Sequence, residues 1–307
     1  MKIELFGLSL ELKKNKEKSV LSSDAKVLMS ELNQQSLSYI SALSDINVKD
    51  RITSLCFSDL KSEAASQCLK ENGIVAFPSV FESSVIGCQE ALSAITEIVR
   101  NFNAKELDWM ESDNFLIQRG NTKVAGYKNL AEYPKPVIVI RDLVDDGMID
   151  IFNADKLFPD AFQSIKEDLS SKDVRNLLAD SENELVPHNF NVYINQGVTC
   201  TRGFHVDSYT QQVKGFVYLT DVKFLSQGPY TYVRGSSRQP VLQSFNQAVS
   251  TFSSAKTEAP IVSQKRIVPM LCDKGSFIVS DQSGIHRGFP QELGRYRAVA
   301  VMNYKQV

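Results

Sequence analysis

NVYIN (191–195), KGFVYLTDV (214–222), PYTYVRG (229–235), GSFIVSD (275–281) and YRAVAVMNY (296–304) are short runs rich in β-branched and aromatic residues, divided by glycine, proline or serine. Several such strands with turn signals between them describe a sandwich or barrel. Upstream the texture changes. PDAFQSIKEDL (159–169) and KDVRNLLADS (172–181) read as helices, and Pro187 ends that pattern and opens the strand-rich region. Further back, PVIVIRDLV (136–144) and GIVAFP (73–78) read as strands. The run 79–102 spaces Val85, Ile86, Leu92, Ile95 and Ile98 as an amphipathic helix starting near Ser83 or Ser84. DLKSEAASQCLKEN (59–72), preceded by Ser58, predicts a helix closing at Asn72-Gly73, where glycine takes the left-handed conformation. Residues 24–43 carry helical spacing capped by Ser22 or Ser23, and residues 1–12 suit one short strand. The class is α+β, with N-terminal helices packed on a β domain. The expected division is an extension over 1–58 and a domain over 59–307, whose insertion at 240–268 forms part of a lid.

Composition narrows the partners. The 34 basic and 36 acidic residues nearly cancel, so nothing in the charge balance calls for nucleic acid or an anionic membrane, and a small-molecule or protein substrate is the default. The five cysteines are scattered without a C-x-x-C pair, which suggests neither a disulfide framework nor a zinc knuckle. The opening stretch is too short and too interrupted by Glu4 and Glu11 for a signal peptide, and no later run has the length of a membrane span. A cytoplasmic location is the expectation.

Only three histidines occur, and two of them sit where a metal site needs them. In RGFHVDSY (202–209), His205 and Asp207 are two apart, so on an extended strand they point to one face with Cα atoms about 6.5 Å apart. His286, in SDQSGIHRGFP (280–290), follows a predicted strand and supplies a third ligand. Two imidazoles and one carboxylate on one face of an octahedron leave three adjacent positions open, which suits Fe(II) binding a chelating co-substrate and O₂ together. A structural zinc site would be closed by four ligands. Arg297 stands eleven positions beyond His286, where a guanidinium can grip a carboxylate in bidentate fashion. Iron ligands with a carboxylate clamp describe a 2-oxoglutarate site. The bland alternatives are an ordinary His–Asp strand pair and an arginine paired with Glu292 or Asp281.

With these residues in place, the chain resembles the phytanoyl-CoA dioxygenase family in its H-x-D, distal His and following Arg. GPYTYVRGSSR (228–238) is similar to that family's turn after the middle strands, although Val233-Arg234 replaces the usual proline neighbourhood. Residues 59–102 are similar to its N-terminal entry. The resemblance implies a double-stranded β-helix, a cupin-like jelly roll, with His205, Asp207 and His286 holding Fe(II) and Arg297 binding the distal carboxylate of 2-oxoglutarate. Arg295 is the alternative clamp. The strand FNVYIN (190–195) makes Tyr193 the best candidate for a further co-substrate contact, ahead of Asn191 and Asn195, which share its strand face. Gly288 stands where the family often has serine. The activity implied is oxidation by O₂ with release of succinate and CO₂, and Asp207 points to hydroxylation rather than halogenation. The substrate is then a small metabolite, a lipid-linked compound or a saccharide precursor. It is anionic if Arg202, Arg234, Arg238 and Arg287 surround the site. The competing class is a metal-binding β-sandwich without redox chemistry, either a zinc hydrolase or isomerase or a binding module.

Overall fold

The structure, a computed structural model, describes residues 2–5, 8–11, 23–179, 185–251 and 257–306. In chain order its strands and helices are β1 (Lys2–Leu5), β2 (Leu8–Glu11), α1 (Ser23–Ser41), α2 (Asp45–Thr53), α3 (Glu63–Asn72), β3 (Ile74–Phe77), α4 (Cys88–Asn103), β4 (Trp109–Glu111), β5 (Leu116–Arg119) and α5 (Tyr127–Ala131). They continue through β6 (Val137–Ile140), β7 (Met148–Phe152), α6 (Ala154–Leu157), α7 (Pro159–Leu169), α8 (Lys172–Leu178), β8 (Leu185–Gln196), β9 (Val213–Tyr218) and β10 (Tyr230–Val233). The last are α9 (Pro240–Ser250), β11 (Ile267–Pro269), β12 (Phe277–Asp281), β13 (His286–Gly288) and β14 (Tyr296–Gln306).

Alternation along the strands decides how these elements stack. On β14, Ala298, Ala300 and Met302 turn to one face while Val299 and Val301 turn to the other, and β9 divides Val213 and Val217 from Phe216 and Tyr218 in the same way. The strands join into a nine-stranded sheet ordered β3-β12-β9-β14-β8-β7-β6-β5-β4, antiparallel except where β5 meets β6. One face is covered by Leu92 and Ile95 of α4, Phe162 and Ile165 of α7 and Val174 and Leu177 of α8. The other packs Phe216, Tyr218, Ile278, Val299 and Val301 against Tyr230, Tyr232 and Val268 of a small sheet ordered β11-β10-β13. Burial on both faces explains why β14 is apolar over most of its length instead of alternating with polar residues.

The chain passes between the two sheets repeatedly. β8, β9, β12 and β14 lie in the large sheet, and β10, β11 and β13 in the small one. The segment around His205 is bonded to β13 and so extends the small sheet.

The helices and strands read from the sequence for β3, α7, α8, β8, β9, β10, β12 and β14 stand close to where the spacing predicts them, while β11 and β13 are additional short strands. Four details differ. In place of one strand, β1 and β2 are two short strands paired antiparallel. Ser62, not Ser58, caps α3 by accepting from Ala65 N at 3.3 Å, and Gly73 ends that helix with φ +71°. A turn of 3₁₀ helix at Ser83–Val85 delays α4 to Cys88. Helix α2 forms although four of its nine residues, Ile46, Val48, Ile52 and Thr53, are β-branched. It is held by Asn47 Oδ1 accepting from Ser44 N, by burial of Val48 and Ile52, and by Arg51 donating to the carbonyls of Gln264 and Ile267. Leu28, Met29 and Leu32 of α1 pack against Val249 of α9, and Ile52 and Leu55 enter the core between the sheets.

Candidate metal centre

His205 and His286 stand directly opposite each other. The amide of each donates to the carbonyl of the other at 3.0 and 2.9 Å, so both side chains leave the same face of the small sheet and their rings lie 4.5 Å apart. Asp207 follows two residues along the same extended segment, its amide bonded to Gln282 O at 3.1 Å. The donor atoms of all three lie within 4.8 Å of one another. The residues singled out from the H-x-D and the distal histidine therefore meet.

The ring orientation is set from behind. His205 Nδ1 is 2.8 Å from Gly203 O, and His286 Nδ1 is 2.9 Å from Gly284 O. A carbonyl can only accept, so each Nδ1 carries the proton and each Nε2 presents a lone pair. Burial, reinforced by His286 and Arg202, also pulls His205 well below the ordinary imidazole range, which keeps it neutral. Asp207 Oδ1 lies 3.6 Å from His286 Nε2 and 3.9 Å from His205 Nε2. Neither distance is a hydrogen bond, and there is no proton to share. Three electron-pair donors converge on one point.

Asp207 Oδ2 is engaged elsewhere, by Lys214 Nζ at 2.6 Å. Burial raises the carboxyl, but the Lys214 ammonium beside it opposes this, and Asp207 is held well below the usual carboxylate range. Burial would lower Lys214 in turn, and Asp207 more than restores it. Lys214 belongs to no motif in the sequence. The available signal was a lysine in phase with Phe216 and Tyr218, on the face that β9 turns inward.

Arg297 lies on the face of β14 shared with Val299 and Val301, and it is buried at 7% exposure. It donates to Gly228 O and to Asn195 Oδ1, both uncharged, and its Nε has no partner. Among the described residues no carboxylate pairs with it: Glu292 faces Arg295 at 3.8 Å and Asp281 faces Arg238 at 3.6 Å. Arg295 is half exposed. Tyr193 pairs in register with Val299 on the inward face of β8, and burial pushes its hydroxyl well above the ordinary tyrosine range, leaving it a proton donor. Asn195 is committed to Arg297, and Asn191 donates to the Tyr127 hydroxyl at 2.7 Å, as does Asn303.

The stretch 104–150, which reads as chemically silent, supplies the wall beside Tyr193. Arg141 pairs with Asp150 at 2.8 Å and Asp145 at 3.2 Å, and Asp145 accepts from the amide of Arg202 at 2.7 Å. An aspartate inside the otherwise apolar MIDIF (148–152) was the overlooked mark. Of the four arginines expected to ring the site, only Arg202 acts on Asp207 electrostatically. Arg234 reaches Ser54, Arg238 reaches Lys70 O, and Arg287, next to His286 on β13, turns to the opposite face onto Phe204 and Thr201. The ring of four arginines is thus corrected to one, because strand alternation and the 3₁₀ turn at Ser236–Arg238 after β10 carry the others away. His188 is exposed.

No protein-family model and no curated protein matches the chain. Among solved structures it is similar to the non-heme alpha ketoglutarate dependent carbocyclase SnoK from nogalamycin biosynthesis, at 15% identity and a TM-score of 0.48, over 79% of this chain and 83% of that one. AviO1 from Streptomyces viridochromogenes is similar at 15% identity and 0.47, over 81% and 96%. EvdO2 from Micromonospora carbonacea, complexed with 2-oxoglutarate, is similar at 13% identity and 0.46, over 80% and 91%.

Proposed function

We propose that the chain is an Fe(II)- and 2-oxoglutarate-dependent dioxygenase of the phytanoyl-CoA dioxygenase type, built on a double-stranded β-helix, that hydroxylates a small molecule. The observation that carries this is the convergence of His205 Nε2, His286 Nε2 and Asp207 Oδ1 with both imidazole protons committed to the rear. Such a cluster is unfavourable without a cation and fits one well. Cis ligands with bonds near 2.1 Å lie about 3 Å apart, so donor atoms that lie within 4.8 Å of one another need close by less than about 2 Å. The set has one carboxylate and two imidazoles, which suits iron and leaves positions for a co-substrate. Iron with bound 2-oxoglutarate would supply the oxidising power when O₂ reacts there.

The protein's own residues do the rest. Gly203 and Gly284 carbonyls fix the imidazole tautomers, which also raises their basicity toward a metal. Arg297, charged, buried and lacking a counter-ion, offers its guanidinium to the distal carboxylate, with Asn195 fixing its plane. Tyr193, kept protonated, donates to the co-substrate from the neighbouring strand. Between the two sheets the three ligand side chains keep only 6 to 24% of their surface exposed, which limits bulk water at this face.

Anaerobic addition of Fe(II) and then 2-oxoglutarate should give the weak visible charge-transfer band of the chelate, and succinate should form once O₂ is admitted. His205→Ala and Asp207→Ala should each abolish the band. Well-folded wild-type protein that binds Fe(II) yet never shows the band would defeat the proposal.

A further inference from the structure

Lys214 shares the inward face of β9 with Phe216 and Tyr218 and keeps 14% of its side chain exposed. A lysine is rarely placed so deep without a partner, and its partner here is one oxygen of a carboxylate whose other oxygen faces two imidazole lone pairs. Arg202 and Arg141, the other cations of this region, are held by Thr257, Asp145 and Asp150. Among the described residues, Lys214 is the one cation within hydrogen-bond distance of the Asp207 carboxylate. A positive charge beside a metal ligand weakens the attraction for a metal, so its presence needs a reason.

Resting on the function proposed above, we infer that Lys214 is a positioning residue, the resident counter-ion of Asp207. It keeps the triad assembled before metal arrives, leaves only Oδ1 for coordination, and sets the charge that selects a dianionic co-ligand. Two neutral imidazoles, one carboxylate and one ammonium sum to zero, so a divalent ion placed among them keeps both its charges for an incoming dianion. Without Lys214 the same shell carries one negative charge. Cation binding then strengthens and dianion binding weakens, two changes of opposite sign. The metal-free protein is also left with a buried carboxylate beside two lone pairs.

The test compares wild type with K214M, which keeps the stem, and K214R, which keeps the charge, using Co(II) uptake by visible spectrum, 2-oxoglutarate titrated into the Co(II)-loaded proteins, and melting of the metal-free proteins. K214M should bind Co(II) at least about tenfold more tightly and 2-oxoglutarate at least about tenfold more weakly, and should melt lower without metal. K214R should stay within about threefold of wild type in both affinities. If K214M shifts both affinities in the same direction, or neither, Lys214 is only structural and the inference is overturned. K214R matching K214M overturns it as well. Failure of the wild type itself to take up Co(II) would instead strike the parent proposal.

Discussion

Arg297 and Arg295 are two residues apart, and strand alternation gives them the same parity, yet their surroundings differ completely. Arg295 lies in the turn before β14 and meets solvent and Glu292, whereas Arg297 is inside the strand, buried against uncharged acceptors. A guanidinium buried without an acid is costly, and a ligand carboxylate removes that cost. Arg297→Met should therefore raise the 2-oxoglutarate concentration for half-saturation by about thirtyfold or more, the value of lost charge-assisted hydrogen bonds, with Co(II) uptake unchanged. Arg295→Met should leave both alone. Isothermal titration of the two variants decides the matter, and a response in the Arg295 variant alone would reverse the assignment. At this scale the proposed metal ligands were legible because H-x-D spacing and a scarcity of histidine point to them directly. Lys214, Asp150 and Tyr127 were not, because their significance depends on which neighbour each one meets across the sheet, and single-chain spacing does not carry that.

Elements hold the site through corners. The turn joining β12 to β13 passes Gly284 against the buried Tyr232, whose hydroxyl donates to Asp281 O at 2.9 Å. A Cβ on Gly284 would lie 1.7 Å from that hydroxyl oxygen, so no side chain fits without moving a fully buried tyrosine. Gly284→Ala should cost about 2 to 4 kcal/mol in urea unfolding and should weaken metal uptake, because the displaced carbonyl is the one that orients His286. Gly288 offers the contrast: the nearest atom to an added Cβ is Thr201 Cγ2 at 3.7 Å, so Gly288→Ser should change stability by less than about 0.5 kcal/mol. Equal losses in both variants would show that the corner is not the constraint. Strands β8, β9, β10, β12 and β14 were legible because burial on a pleated face imposes a pattern on each one, whereas the three-residue β11 and β13 are too short to carry one. Helix α2 was not, because its β-branched sequence is overruled by docking of Val48, Ile52 and Arg51. Strand order also could not be read, since the pairing of His205 with His286 spans the chain and leaves no local mark.

Across the whole molecule, the large sheet is the common wall of two cores, one under the helices and one around the inward face. Leu55, fully buried, joins the inward core with Ile52, and the amide of Phe57 bonds Ala76 O beside β3. Leu55→Ala should thus cost about 2 to 5 kcal/mol, measured by thermal unfolding of the metal-free protein. The helical core is fastened differently. Cys88 at the start of α4 is 1% exposed and its thiol donates to Ala161 O of α7, and burial pushes it from 9.0 up to about 11. A raised acid is neutral in the folded chain where it would already be ionised in the unfolded one. Its contribution is complete below pH 9 and is lost as pH rises from about 9 to about 11, the unfolded chain releasing the proton first. The loss is roughly 2 kcal/mol once solvent screening is allowed for. Cys88→Ala should therefore be somewhat less stable than wild type at pH 8, yet fall less steeply between pH 9 and 11, by the slope of one proton in urea midpoints. Parallel slopes in the two proteins would mean that the thiol ionises freely in the fold and that the contact between α4 and α7 does not depend on it.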